Sequence, residues 1–370
     1  MSSTEAGDVV AQAILQKYPK SNVFVKNFAD GGEGTADVLL DYFDHEAHKV
    51  KTQGANGKDI DAYWYFLKKE KVALLEMASI VGISMIPKSE LDPEALSTCG
   101  LAPVIIDILE KGIRKIWFTV GGTSTVDAGL GLLKGMGVST REGTFPNSLL
   151  AVKKDIFFDF KNLDSMISDL KIHPAKGSCL FPDVFFDIIA DVRAPLLGKR
   201  GAVLAFGKQK GATPKNIPIL EQGMADFACM VEAKVEDSTF LQTKGLGAAG
   251  GIALGLALLF NVNIKNGADF VIDKMGLRDE MSNFDFVITG EGQFNSQTKQ
   301  GKGPWSIASL AVSNSTPVLI ISGLKIKERN KTKDFSFLEV SQTVPRNKKE
   351  AQLNLFQAMS GWLDDNEVKK

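Results

Sequence analysis

The chain has 370 residues, 44% hydrophobic and 24% charged, with a formal net charge of −1. That length suggests two domains, each with enough material for a sizeable core. So even a charge balance gives no electrostatic case for nucleic acid or an anionic membrane. Cys99, Cys179 and Cys229 are widely spaced and form no CxxC pair, so they read as small core residues in a reducing compartment. His45, His48 and His173 are too few for a histidine-rich zinc site. The opening MSSTEAGD lacks the basic and apolar regions of a signal peptide. The longest apolar run, Ile252 to Ile264, is too short to span a bilayer. A cytoplasmic location is expected.

Thr4 to Lys17 reads as a helix with Val9, Val10, Ala13 and Ile14 on one stripe, and Ser2 with Glu5 forms a capping box. Val23 to Phe28 reads as a short strand running into Asp30-Gly31-Gly32-Glu33-Gly34, and a helix from Thr35 to Phe43 follows. Residues 46–75 alternate polar and apolar, as in a meander, and Val72 to Met77 is a buried strand. A helix from Leu96 to Lys111 precedes the strand Lys115 to Val120, which runs into Gly121-Gly122-Thr123-Ser124-Thr125-Val126-Asp127 and an apolar helix. Residues 139–183 are irregular, and Phe185 to Ala190 is a strand ending at Asp191. Helices are expected from Ile217 to Lys234 and from the glycine-rich residues 245–251 to Phe260. Asp285 to Thr289 is a strand ending at Gly290-Glu291-Gly292; Pro317 to Ser322 is another strand, and Glu350 to Leu363 a closing helix. Strands alternating with helices predict an α/β architecture with mainly parallel sheets.

Four strand ends deliver a carboxylate at a tight turn: Asp30 with Glu33, Asp127, Asp191 and Glu291. Ligands of open α/β sheets bind outside the carboxyl ends of the strands. Carboxylates gathered there can hold magnesium together with substrate phosphates, or take a proton from a hydroxyl. Neighbouring glycines let backbone N–H groups face phosphate oxygens. Singly, each reads first as a turn and a helix cap; four in one chain, all at strand ends, point instead to a polyanion-and-metal site. Phosphoryl transfer also needs positive charge around the moving group. Lys208 and Lys210 in FGKQKG, and Lys302 in QGKGP, sit in glycine-rich loops that could supply it, although a solvated surface lysine is the commoner case.

No G-x-x-x-x-G-K-[ST] and no HRD…DFG set occurs, which excludes a P-loop and a eukaryotic-type protein kinase. One G-x-G-x-x-G, Gly245 to Gly250 with Asp269 downstream, motivates a dinucleotide-dependent oxidoreductase as a rival, but the polar stretch Glu236 to Lys244 stands where that motif needs a strand. A small-anion binding protein, or a degenerate relative of an enzyme, is the non-catalytic alternative. Carboxylates at the strand ends would repel an unaccompanied anion.

Taken in order, these segments resemble those of the type-1 glycerate kinase family. Asp30 to Thr35 resembles its DGGEGT, and Gly121 to Asp127 its GGSATND. Asp191 to Leu196 resembles DVxNPL, and Phe206 to Pro214 FGPQKGATP. Gly247 to Gly251 is similar to GAAGG, and Thr289 to Gly292 with Gln297, Thr298, Gly301 and Lys302 to TGEGRxDxQTxxGKxP. The resemblance covers nearly the whole chain. It implies ATP and magnesium, D-glycerate as substrate with 2-phosphoglycerate favoured as product, and a two-lobe α/β fold with the active site in the cleft. The terminal, Rossmann-like lobe is expected from residues 1–70 and 285–370, and an inserted middle lobe from 71–284. Asp30, Glu33, Asp127 and Glu291 are expected to handle magnesium and substrate hydroxyls. Asp191, Asp127, Lys210 and Lys302 are the expected catalytic residues, with Asp191 the base. Gly31, Gly32, Gly34, Gly121, Gly122, Thr123, Ser124, Thr125, Gly290, Gly292, Gln297 and Thr298 are expected to bind substrate or nucleotide. A homodimer is among the expectations.

Three departures qualify the resemblance. Met1 aligns just after the family's opening strand and its PDSFKGS-like loop, so the early lysine and serine have no counterpart; Met1 as an internal methionine of a longer reading frame, or a truncated or catalytically impaired relative, is the alternative this raises. Val126 stands where the family often has asparagine. Gln293 and Asn295 replace an arginine and an aspartate, removing one charge of each sign.

Overall fold

The computed structural model describes residues 1–141, 145–152, 158–160, 163, 179–235, 239–294, 303–324 and 335–366. His173, Asn295, Gln297, Thr298 and Lys302 lie outside the described residues. The chain divides into two compact units, Met1–Asp30 with Ala268–Lys370, and Gly31–Gly267. The meander strands join the sheet of the larger unit, so its first division lies at 30/31 where 70/71 was expected; the second lies at 267/268 where 284/285 was expected.

In the larger unit the alternation of residues 46–75 produces β1 (His45–Gln53), β2 (Asp59–Leu67) and β3 (Val72–Glu76). β1 pairs antiparallel with β2, and β2 with β3. Trp64 of β2 is fully buried and its indole N–H donates to Asp107 at 2.7 Å, giving the buried polar atom a partner. The helix Leu101–Glu110 then carries the chain to β4 (Lys115–Thr119), parallel to β3. The expected first turn of that helix, Leu96 to Gly100, is a loop instead, because Thr98 turns both its N–H and its hydroxyl toward Asp127.

A two-stranded antiparallel pair, β5 (Ser139–Thr140) with β6 (Phe158–Asp159), lies outside the main sheet. β7 (Phe181–Ala190) adds parallel to β4, and β8 (Phe260–Asn266) parallel to β7. The sheet order is thus β1-β2-β3-β4-β7-β8. β8 corrects the expectation that the helix runs through Phe260: helix Ile252–Leu259 ends one residue earlier, and Asn261-Val262-Asn263-Ile264 alternates polar and apolar as an edge strand does. Phe118, Phe181, Phe186, Phe227 and Phe260 fill the core between sheet and helices, each contributing roughly 1.5–3 kcal/mol by burial. Of the cysteines, Cys179 is buried as expected, whereas Cys99 is half-buried and Cys229 exposed.

In the smaller unit α1 (Ser3–Lys17) forms with the predicted capping box: Ser2 accepts from the Glu5 N–H at 3.2 Å, and Glu5 accepts from the Ser2 N–H at 2.9 Å. Ala13 on its apolar stripe packs with Leu319, Ile321, Leu355, Met359 and Leu363. The last three belong to the closing helix Lys348–Asp365. β9 (Val287–Glu291), β10 (Val318–Leu324) and β11 (Ser336–Ser341) make a parallel sheet in the order β11-β10-β9. Val23 to Phe28, expected as a strand, joins no ladder. Its Phe24 is 63% exposed and meets Phe284 edge-on at 6.2 Å, and Lys26 pairs with Glu280 at 2.7 Å.

Candidate active site

β3, β4 and β7 are parallel and their carboxyl ends deliver Glu76, Gly121 and Asp191 to one edge of the larger unit's sheet. The loop from Gly31 to Gly34, leading into α2 (Thr35–Leu40), lies across these ends. Gly31 has φ 99°, and a Cβ there would stand 3.0 Å from the carbonyl carbon of Ala190 and from the N of Asp191. Conformation and crowding therefore both demand glycine. Its carbonyl accepts the Gly121 N–H at 3.1 Å. A Cβ on Gly121 would meet the Gly32 Cα at 2.5 Å and the Asp191 Cγ at 3.0 Å, so the two glycine loops and Asp191 touch.

Thr35 staples the loop. Its hydroxyl donates to the Gly32 carbonyl at 2.7 Å and accepts the Gly31 N–H at 3.1 Å. Glu76 completes the fastening by accepting the Gly34 and Ala36 N–H groups, one on each carboxylate oxygen, both at 3.0 Å. Glu33 accepts from the Ser84 hydroxyl at 2.8 Å. Ser124 is held by its N–H and hydroxyl, both donating to the Val81 carbonyl at 2.9 Å.

Lys210 is the buried cation of the site. It is 4% exposed, and its ammonium donates to the Thr125 carbonyl at 2.9 Å and the Thr123 hydroxyl at 3.2 Å. Burial pulls its pKa down to about 8, against the opposing attraction of Asp191 and Asp127. Lys208, the other candidate in that segment, is exposed.

Asp127 is 1% exposed and accepts four hydrogen bonds. Three fall on Oδ2, from the Thr98 hydroxyl at 2.7 Å, the Thr98 N–H at 2.9 Å and the Gly131 N–H at 3.1 Å; the fourth joins Oδ1 to the Gly129 N–H at 3.2 Å. Burial pushes its carboxyl up, and the four donors oppose that. This carboxylate ties the Thr98 loop to the start of helix Leu130–Gly135. Among the described residues no three His, Cys, Asp or Glu side chains converge to hold a metal ion. Among the described residues Lys210 is the buried ammonium at this edge of the sheet, while the N–H groups of Gly31, Gly34, Gly121 and Ser124 are bonded within the protein.

In the smaller unit Asp30 accepts the Gly303 N–H at 3.3 Å, at the start of helix Gly303–Ser313. Gly290 and Glu291 lie inside β9, paired with Ile321 and Ser322 of β10, where a turn after the strand was expected. The Gly292 carbonyl accepts the Leu324 N–H at 3.1 Å.

Sequence reading missed Glu76, Thr35 and Thr98. Glu76 ends a strand as the other candidates do, but Met77 and Ala78 follow it in place of the glycines that drew attention elsewhere. The G-x-G-x-x-G segment has an internal use. Gly250 has φ 69°, and a Cβ there would lie 2.3 Å from the Thr125 carbonyl oxygen; one on Gly247 would lie 2.1 Å from that of Pro195. These glycines admit the protein's own backbone, and the residues just before them form a 3₁₀ turn, Phe240–Gln242, rather than a strand, so the oxidoreductase rival is not favoured.

The profile described as the glycerate kinase family matches residues 1–361. A glycerate kinase of Neisseria meningitidis is 32% identical across 94% of this chain and 91% of its own length. A glycerate kinase of Halalkalibacterium halodurans is 30% identical, covering 87% of this chain and 82% of its own. A glycerate 2-kinase of Escherichia coli is 28% identical over the same shares, 87% and 82%. A crystal structure named for glycerate kinase 2 from Salmonella typhimurium LT2 superposes with a TM-score of 0.75 at 24% identity, covering 99% of this chain and 93% of that one, and shares its fold.

Proposed function

This chain belongs to the glycerate kinase family, and on that premise we propose that it transfers the γ-phosphoryl group of ATP to D-glycerate, giving 2-phosphoglycerate in the cytoplasm. The observation that carries the reading is the buried Lys210, bonded to Thr123 and Thr125 and within electrostatic reach of Asp191, which itself lies against the loops at Gly31 and Gly121. ATP supplies the phosphoryl group. Asp191 takes the proton of the attacking hydroxyl. Lys210, still mostly protonated at neutral pH with a pKa of about 8, keeps a desolvated positive charge near that carboxylate. A fixed charge in a dry site stabilises developing negative charge far better than one in water. The N–H groups of Gly31, Gly34, Gly121 and Ser124 hold the two glycine loops in place beside these groups. Magnesium enters this reading as the companion of ATP's phosphates. Phosphorylation at the 2-hydroxyl follows the name of the Escherichia coli relative.

A coupled assay of ADP release against a panel of small hydroxy acids, with the product isomer identified by NMR, tests the reading. Glycerate-dependent ADP release with 2-phosphoglycerate as product supports it. Release with another acid of the panel overturns the substrate, and 3-phosphoglycerate overturns the position.

A further inference from the structure

We propose that Glu76 is a positioning residue for the reaction proposed above: its carboxylate clamps the Gly31–Gly34 loop against Asp191. The inference rests on that reading for its kinetic consequence and on geometry alone for the clamp.

Glu76 is the last residue of β3, with its backbone fixed by the ladder to Thr119 of β4. Its side chain leaves the sheet edge and accepts the Gly34 and Ala36 N–H groups on separate oxygens, at 3.0 Å each. Two bonds from one rigid strand end define both the position and the tilt of the loop. The loop's other end lies on Asp191, where Gly31 and Gly121 leave no room for a Cβ. A shift at Gly34 is therefore passed through Thr35, Gly32 and Gly31 to the carboxylate expected to take the hydroxyl proton.

The surroundings make this a charge-sensitive device. Glu76 shares a cavity of about 450 Å³ with Glu33 and Asp37, lined also by Ser79, Ser84 and Met85. The titratable groups facing it are Glu33 from the loop, Asp37 from α2 and Tyr65 from β2, all acids. Burial first, and then Asp37 and Glu33, push the Glu76 carboxyl up, while the two N–H donors pull it down. Protonated Glu76 carries an O–H where it now accepts, so one of the two clamping bonds is lost as it takes a proton.

The test is Glu76→Gln, which keeps the size but turns an NH₂ toward one of the two N–H donors. Two readouts are needed: steady-state kinetics with glycerate and ATP, and amide hydrogen exchange over residues 31–36. The expected result is a kcat lowered by roughly tenfold or more with KM for glycerate changed much less, because alignment rather than affinity is lost. The acid limb of the wild-type kcat profile should also move in the variant. Exchange over 31–36 should speed up by about tenfold while that of β3 and β4 stays as it was. A kcat within twofold of wild type in a folded variant, or unchanged exchange over 31–36, overturns the proposal. If the wild-type chain does not phosphorylate glycerate, the proposed function fails, and exchange still decides the clamp. If the variant does not fold, wild-type exchange corrected for intrinsic pH dependence replaces it: protection of 31–36 must fall as pH drops through the raised Glu76 range, and constant protection overturns the clamp.

Discussion

Asp191 and Lys210 stand in different physical positions, and the difference sets what each variant should do. Asp191 is half-buried at a strand end, with the backbone of Gly31 and Gly121 against it. Asp191→Asn keeps that shape and removes only the basicity. Turnover should fall by about two to four orders of magnitude with the melting temperature nearly unchanged, measured by coupled assay and thermal unfolding. Unchanged turnover would remove Asp191 from the chemistry. Lys210 is buried and pays a desolvation cost. Its pKa is about 8 in the folded chain against 10.5 for a free lysine, so between those values the unfolded chain binds more protons and stability rises with pH. Below pH 8 both states are protonated and the full cost is felt, on the order of 3 kcal/mol for a gap from about 8 to 10.5. Urea unfolding of wild type and Lys210→Met from pH 7 to 10 should show the wild type gaining on the variant as pH rises. Parallel curves would mean the ammonium is not desolvated.

Among the elements, the 98–131 region shows how one residue organises a loop and a helix start together. Asp127 satisfies the N–H groups of Gly129 and Gly131 as helix Leu130–Gly135 begins, while drawing Thr98 in by two bonds. Thr98 in turn accepts the Leu132 N–H at 2.9 Å. Asp127→Ala leaves those donors buried and unpartnered, and each unsatisfied group costs about 1–3 kcal/mol. A loss of roughly 3–5 kcal/mol is expected by chemical denaturation. A variant that keeps its stability but loses turnover would instead show that Asp127 acts in the chemistry. The same network explains why the helix expected from Leu96 begins only at Leu101. Local propensity favoured an earlier start, but a buried carboxylate from a distant segment claimed the Thr98 donors, and burial makes that claim strong.

For the whole molecule, a ligand that binds only the native state must stabilise it. ATP with magnesium at a hundred times its Kd should add about 2.7 kcal/mol and raise the melting temperature, whereas NAD should add nothing. The reverse pattern would return the G-x-G-x-x-G segment to a dinucleotide role, against its present packing on Thr125 and Pro195. Among the described residues no helix is long and apolar enough to cross a membrane.

Read alone, the sequence determined the α/β class, the capping box of α1, the meander of β1 and β2, the strand ends at Gly121 and Asp191, and the family. All but the family follow from short-range rules: period of the apolar pattern, cap chemistry, and glycine beside a carboxylate where a strand stops; the family followed from the resemblance of whole segments in order. Tertiary structure decided where each strand-end carboxylate lies and what it bonds to. Asp127 and Asp191 look alike in sequence, yet one accepts four hydrogen bonds at 1% exposure and the other lies half-buried beside the glycine loops. Glu76 carried no glycine to mark it and holds the loop nonetheless. The unit boundaries, the edge strand β8 and the unpaired Val23–Phe28 segment were likewise settled by pairing partners far along the chain. Which donor a buried acceptor finds, and which strand an edge meets, are contacts between residues distant in sequence, and no local pattern encodes them.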